Sequence, residues 1–159
     1  MTDGIGAVRL ATAHDVDAIF DVRVGVRENI LTRAELTERG ITRDAVLAMI
    51  GEASCVWVVE VDSEVVGFSM ADAEDACVFA AFVRPGHEGK GLGSVLMAAA
   101  EACLFQHHER IWLETAYASR AREFYERRGW VQTAELPDGD VRMEKVLPAN
   151  ARNDRHLPR

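Results

Sequence analysis

The sequence predicts a single α/β domain, built on a central mixed, mostly antiparallel β-sheet with helices on both faces. Three observations lead there. β-prone runs at 55–61, 64–70 and 77–83 follow one another at hairpin spacing. Stretches with apolar residues at helical spacing come before and after them. The third run also leads through a glycine-rich turn straight into a long helix with an apolar stripe.

Val8 to Ala11 is the first short strand. Thr12-Ala-His-Asp15 resembles a capping box in which Asp15 takes the place of the usual Glu. Val16, Ile19, Phe20 and Arg23 then recur at helical spacing. Val24 to Gly40 reads as irregular and polar, and Thr42 caps a helix with Val46, Met49 and Ile50 on one face. Cys55 to Val61 turns at Asp62-Ser63 and returns as Glu64 to Met70. After a turn at Ala73 to Asp75 comes the strand Cys77 to Val83.

The long helix carries Leu92, Val95, Leu96, Ala99 and Cys103 as its predicted stripe. Ile111 to Thr115 is a strand, and Ser119 to Arg128 a helix ended by Gly129 as a left-handed cap. Trp130 to Glu135 and Asp140 to Leu147 pair across Asp138-Gly139. The domain is expected to span 1–147. The tail 148–159 lacks periodicity and is expected to be disordered.

Composition narrows the function classes. With 48% hydrophobic and 28% charged residues the 159-residue chain has the make-up of an ordinary globular domain, long enough for a core without metals or disulfides. A net charge of −8 argues against nucleic acid and against an anionic membrane face as partners. No run of 18 apolar residues occurs, and MTDGIGAVRLAT lacks the apolar core of a signal peptide. Cys55, Cys77 and Cys103 are odd in number and each lies in an apolar run, the pattern of buried thiols in a reducing compartment. The expected location is the cytoplasm. His107-His108 has no further ligand at metal spacing, so no metal is expected.

The most informative stretch is CVFAAFV, the turn EGKGLG and the helix after it. The first turn of a helix leaves backbone N–H groups without internal partners, and these carry partial positive charge. Glycines at 89, 91 and 93 remove the side chains that would hold a phosphate away. Strand, turn and helix thus form a cradle for a phosphate or pyrophosphate. The spacing is wrong for a P-loop, since Gly86 and Gly89 enclose two residues where four are required and Lys90 is followed by Gly91. A dinucleotide fingerprint is GxGxxG, whereas this turn is GxGxG.

The phrase Val83-Arg-Pro85-Gly-His-Glu88-Gly-Lys-Gly91-Leu-Gly93-Ser resembles the signature of the GCN5-related N-acetyltransferase (GNAT) family: Gln or Arg, two residues, Gly, one residue, then Gly or Ala. Glu88 stands where the family has Gln or Arg. A second phrase, Ala121-Arg-Glu-Phe124-Tyr125-Glu-Arg-Arg-Gly129-Trp130, resembles the family's A-x-x-F-Y-x-x-x-G-F segment. The Asn often found seven residues before the Tyr is Ala118 here, with Ser119 a substitute for its contact. The likeness covers roughly residues 7 to 147 in the family's element order.

The resemblance implies the GNAT acyl-CoA N-acyltransferase fold and transfer of an acetyl group from acetyl-CoA to a small-molecule amine, or a peptide, in a ternary complex. Glu88, Gly89, Lys90, Gly91, Leu92, Gly93 and Ser94 would hold the pyrophosphate, chiefly through backbone amides. The pantetheine arm would run beside Phe82-Val83 like an added strand, admitted by a splay from the strand at 111–115. Ser119, Ala121 and Tyr125 would complete the cofactor contacts. Tyr125 holds the family's position for the acid that protonates the leaving thiolate.

No carboxylate lies on CVFAAFV, so Glu114, Asp72 and Glu28 are the candidate bases, with Glu114 assigned. Arg27, Glu28 and Asn29 are the expected acceptor contacts. Relatives often dimerise, so a homodimer is compatible with the resemblance. The alternative reading is an acyl-CoA-binding sensor or regulatory module with weak turnover.

Overall fold

The computed structural model describes residues 7–26, 30–53 and 55–149. The elements are β1 (Ala7–Leu10), α1 (Val16–Val24), α2 (Arg33–Glu38), α3 (Arg43–Ala53), β2 (Val56–Val61), β3 (Glu64–Asp72), β4 (Cys77–Val83), α4 (Leu92–Phe105), β5 (Arg110–Ala116), α5 (Arg120–Arg127), β6 (Val131–Glu135) and β7 (Asp140–Val146). Short 3-10 turns occupy Ala13–Asp15 and Pro137–Gly139. The strands hydrogen-bond in the order β1-β2-β3-β4-β5-β7-β6. β4 runs parallel to β5, and the pairs β1–β2, β2–β3, β5–β7 and β6–β7 are antiparallel. This is the mixed, mostly antiparallel sheet the sequence predicts.

The described residues fall into two compact units, those within Met1–Ala71 and Ala80–Ala100 and those within Asp72–Phe79 and Glu101–Arg159. In the first unit Val56 to Val59 and Val65 to Ala71 are buried without interruption, the signature of strands covered on both faces. Val58, Val65 and Phe68 pack with Val16, Ile19 and Val46 from the helices. Asp62 and Ser63, both at positive φ (54° and 67°), close the β2–β3 hairpin as predicted. A Cβ on Gly67 would lie 3.0 Å from both Phe82 O and Leu96 Cδ1, so only glycine lets β3 sit this close to β4 and α4. The buried Ser69 hydroxyl donates to Leu96 O (3.1 Å), which pins the first half of α4.

Within the stretch read as irregular and polar, residues 33–38 form α2. Thr32 Oγ1 accepts from Glu35 N–H (3.1 Å) and Glu35 Oε1 accepts from Thr32 N–H (2.9 Å), a complete capping box spelled T-R-A-E. At Thr12 the reach-back half of the predicted box forms, Thr12 N–H donating to Asp15 Oδ2 (2.7 Å). The same carboxylate grips Arg9, which also bonds Glu60 (2.7 Å) and so ties β1 to β2.

Along α4 the buried positions are Leu92, Leu96, Met97, Ala100, Glu101, Leu104 and Phe105, while Val95 is 36% exposed. The predicted stripe is therefore rotated: this helix is apolar nearly all round, so periodicity alone does not fix which side faces inward.

In the second unit β5 and β7 pair along their full lengths, from Arg110↔Val146 to Ala116↔Asp140. Ile111, Leu113, Val141 and Met143 are the buried side chains of this strand pair. β4 meets β5 in a single register pair, Cys77↔Trp112, at the first residue of β4. Trp57 and Trp130 are buried, and Trp112 is half-buried beneath Arg142. Among the described residues no helix is long and apolar enough to cross a membrane, and no group of three His, Cys, Asp or Glu is placed to hold a metal ion.

Candidate functional site

The turn between β4 and α4 is shaped by its backbone. Arg84 N–H donates to Val66 O (2.8 Å), carrying the β3 pairing to the last residue before the turn. Pro85 and Gly86 are then the central residues of a turn closed by His87 N–H to Arg84 O (3.1 Å), with Gly86 at φ 95°. Pro followed by Gly at positive φ is the sequence a type II turn demands. Gly89 and Gly91 follow at φ 79° and 83°, and a Cβ on either would meet nothing within 4 Å. What excludes other residues there is backbone conformation, not space.

The helix bond from Val95 N–H reaches back to Gly91 O (3.2 Å), so the amides of Leu92, Gly93 and Ser94 lie ahead of the i→i−4 ladder. Leu92 is buried and anchors the helix start, whereas Glu88, Gly89, Lys90 and Gly91 are exposed. An exposed bend backed by helix amides is chemically fitted to an anion with several oxygens. Arg84 Nε and His87 Nδ1, on the same turn, are buried without a hydrogen-bond partner.

Phe82 and Val83 are half-buried at the end of β4. The Arg23 guanidinium of α1 stacks 4.3 Å from the Phe82 ring centroid, and the Phe68 ring centroid lies 5.7 Å from that of Phe82. Arg23 is 8% exposed, and burial together with the positive charge of Arg39 holds its pKa below the usual arginine value. Arg27, Glu28 and Asn29, the predicted acceptor contacts, lie outside the described residues.

The second unit carries α5 and the predicted acid. Ser119 caps the helix: its hydroxyl accepts from Arg122 N–H (3.1 Å) and donates to Ala116 O (2.7 Å). That hydroxyl is therefore engaged in holding the helix start. Ala121 is half-buried and Tyr125 is 9% exposed. The Tyr125 ring lies against Phe124 (5.4 Å) and Trp130 (6.2 Å), and burial pushes its phenol up to about 12. Glu114 is exposed on β5 opposite Arg142. Asp72 ends β3, where its Oδ1 accepts from Glu74 and Asp75 N–H and shapes the turn. Cys77 is buried, and burial plus the charges of Asp72, Glu114 and Asp75 push its thiol up to about 12, the condition of an inert cysteine.

Behind Tyr125 is a cluster the sequence reading missed. Glu101 of α4, 6% exposed, accepts from Trp130 Nε1 (3.0 Å), Lys145 Nζ (2.9 Å) and Arg128 Nη2 (3.2 Å). Arg128, just past the end of α5, is thus held in a part-buried network around this carboxylate. Its signal in the sequence is one carboxylate inside the apolar run AAAEACLF. His108, after α4, hydrogen-bonds Ala73 O through Nε2 (2.6 Å).

The strand–glycine turn–helix unit and the capped tyrosine helix are thus both built as the two sequence phrases require. No curated protein matches the chain. Its fold is similar to those of three solved structures: PaiA N-acetyltransferase from Thermoplasma acidophilum in complex with coenzyme A (17% identity, 89% of this chain and 98% of that one, TM-score 0.75); Ard1 from Thermoplasma volcanium (21%, 91% and 99%, 0.72); and YncA from Salmonella typhimurium with its cofactor acetyl-CoA (22%, 91% and 95%, 0.66). The family model of the acetyltransferase (GNAT) domain matches residues 52–132, a span from the end of α3 into β6 that takes in the whole glycine turn and all of α5. With slightly more than half of the sequence matched in that way, the chain belongs to the GNAT acetyltransferase family.

Proposed function

We propose that this acetyltransferase moves an acetyl group from acetyl-CoA to a primary amine of a small molecule or peptide, by direct attack of the amine in a ternary complex. The observation that carries the reading is the run of exposed backbone at Gly89 to Gly91 followed by the helix-start amides of Leu92, Gly93 and Ser94. Helix-start amides hold a diphosphate without needing a cationic side chain, which accounts for the tolerance of Glu88 in the signature. Phe82 and Val83 offer backbone to an extended pantetheine arm as an added strand would. Two proteins of similar fold with coenzyme A or acetyl-CoA bound, PaiA and YncA, support the choice of donor.

The thioester supplies the acetyl group, and the protein's task is to orient it and stabilise the departing thiolate. Tyr125 is assigned to that thiolate. A phenol at about 12 stays protonated throughout the neutral range, so it is always a donor. Thiols have a reference pKa near 8.5, so complete proton transfer from such a phenol is uphill by about three and a half pH units. Its role is therefore a hydrogen bond to the developing thiolate, with solvent taking over protonation afterwards. Glu114, exposed on β5, remains the assigned base. Three cysteines outside any disulfide support a cytoplasmic setting.

The test is release of free thiol from acetyl-CoA against a panel of amines. Acceptor-dependent release with at least one amine is the expected result. Calorimetric binding of acetyl-CoA with no acceptor-dependent release on any amine would turn the reading toward an acyl-CoA-binding sensor.

A further inference from the structure

Of the two rings that lie against Tyr125, only Trp130 carries a polar atom. Its ring meets that of Tyr125 at 6.2 Å, with the planes inclined by 58°, and the residue is 2% exposed. The backbone brings the two together. Tyr125 O accepts both from Arg128 N–H (2.9 Å) and from Trp130 N–H (3.0 Å), with Gly129 at φ 96° between them. A left-handed residue at that point folds the chain back over the last turn of α5, so Trp130 returns to Tyr125.

Close packing sets the distance of the indole, and its N–H sets the rotation. Trp130 Nε1 donates to Glu101 Oε2 (3.0 Å) in a buried hydrogen bond. Turning the ring over would leave that N–H unpaired in the interior, which is unfavourable. The acceptor is itself anchored. Lys145 Nζ (2.9 Å) and Arg128 Nη2 (3.2 Å) both donate to Glu101 Oε1, the oxygen the indole does not use. Trp130 stands where the family phrase ends in Phe, so the indole N–H is this chain's own addition to that phrase. Burying a carboxylate beside two cations is no more stabilising than filling the same space with apolar side chains. What the cluster supplies beyond packing is a fixed orientation.

We propose that Glu101 is a positioning residue for acetyl transfer: by fixing the Trp130 indole it holds the Tyr125 ring in the pose from which the hydroxyl meets the departing thiolate. The proposal rests on the role assigned to Tyr125 above. Glu101, Tyr125, Arg128, Trp130 and Lys145 all lie in one compact unit.

The experiment measures kcat and KM for Glu101→Ala and Glu101→Gln, each in wild-type and in Tyr125→Phe protein. Glu101→Ala should lower kcat about tenfold, the scale of a misoriented catalytic group, with KM for acetyl-CoA and for the amine within about twofold of wild type. Glu101→Gln should recover most of that loss, since its amide oxygen still accepts from Trp130. In Tyr125→Phe protein Glu101→Ala should lower kcat no further, because residues that act as a unit are not additive. Trp130→Phe keeps an aromatic ring, removes the N–H and leaves Glu101 its two cations, so it repeats the test where Glu101→Ala does not fold. Losses that multiply in the double variant, a Glu101→Gln as slow as Glu101→Ala, or a kcat within about twofold of wild type in Glu101→Ala or Trp130→Phe overturn the proposal. A second readout is independent of turnover. Labelling with 3-fluorotyrosine marks Tyr117 and Tyr125, the two tyrosines of the chain, and Tyr125→Phe assigns their fluorine resonances. The Tyr125 resonance should move in Glu101→Ala and in Trp130→Phe and return in Glu101→Gln, with Tyr117 as the control. If Tyr125→Phe leaves kcat unchanged, or no amine is acetylated, the role of Tyr125 fails by itself and the resonance decides. A Tyr125 signal that moves and returns in this way supports the positioning, and one that Glu101→Ala leaves unmoved overturns it.

Discussion

Between Val83 and Leu92 the chain is shaped by φ angles and exposed amides, and no side chain from elsewhere is needed to hold Gly89 or Gly91 in place. Around Glu101 the reverse holds. One buried carboxylate gathers Trp130, Lys145 and Arg128 from α5's end, β6's start and β7, and backbone geometry plays little part. The first region is local in sequence, open to solvent and written in glycines. The second joins residues 27 to 44 positions apart around a carboxylate that is 6% exposed. A region of the first kind can meet a ligand without rearranging, and a region of the second kind can hold a neighbouring side chain such as Tyr125 in one pose. The difference predicts that the two will fail differently when altered.

The largest effect is expected at Glu101. Glu101→Ala leaves three donors without their acceptor. Arg128 and Lys145, with side chains 20% and 18% exposed, can turn outward, but Trp130 at 2% cannot carry its indole N–H to water. Removing one member of a buried charged network costs about 3 kcal/mol, and urea denaturation should read that loss with the slope unchanged. Glu101→Gln should recover more than half, because its amide oxygen still accepts from Trp130. Equal losses in the two variants would show that packing, not hydrogen bonding, holds this region.

Next is Tyr125→Phe, which keeps the ring contacts with Phe124 and Trp130 and removes only the hydroxyl. We expect kcat to fall about 100-fold with stability at pH 7 nearly unchanged. The variant also has a pH signature. The folded-state phenol is raised to about 12 from an unfolded value of 10.0, so the stability it contributes is fully present below pH 10 and is lost as pH rises toward 12. Cys77, raised from 9.0 to about 12, adds a loss that begins lower. Alkaline unfolding followed by circular dichroism should therefore shift upward in Tyr125→Phe, and further in Tyr125→Phe/Cys77→Ala. A kcat within threefold of wild type would remove Tyr125 from the chemistry.

The contrast also explains what could be read from the sequence. Features governed by local rules were legible: the hairpin at Asp62-Ser63, the strand ending at Val83, the turn glycines and the Gly129 stop at φ 96°. α2 was equally legible, since T-R-A-E is a local capping signal, but the polar composition around it obscured it. The Glu101 network was not. Its members have no sequence spacing that pairs them, and only the oddity of a carboxylate in AAAEACLF marks the place. The face of α4 stayed ambiguous for a related reason, because a helix apolar all round is oriented by what it packs against.

The smallest predicted effect is also the one that discriminates best between the two kinds of region. Gly91→Ala places a Cβ at φ 83°, a conformation that costs an L-residue about 1–2 kcal/mol. The protein has two ways to respond. If the turn is held rigidly, the cost appears as lost stability and affinity for coenzyme A is untouched. If the turn relaxes to negative φ, stability is nearly kept and the amides ahead of Val95 are re-aimed, which costs affinity. Gly91 is exposed and a Cβ there would meet no atom within 4 Å, so nothing in the surroundings enforces the strained conformation. Relaxation should win. The expected outcome is about a tenfold weaker Kd for coenzyme A by calorimetry, a step of about 1.4 kcal/mol, with Tm within about 2 °C of wild type. An unchanged Kd with a lowered Tm would mean that the turn is as rigidly held as the Glu101 network, and that its openness to solvent is not flexibility.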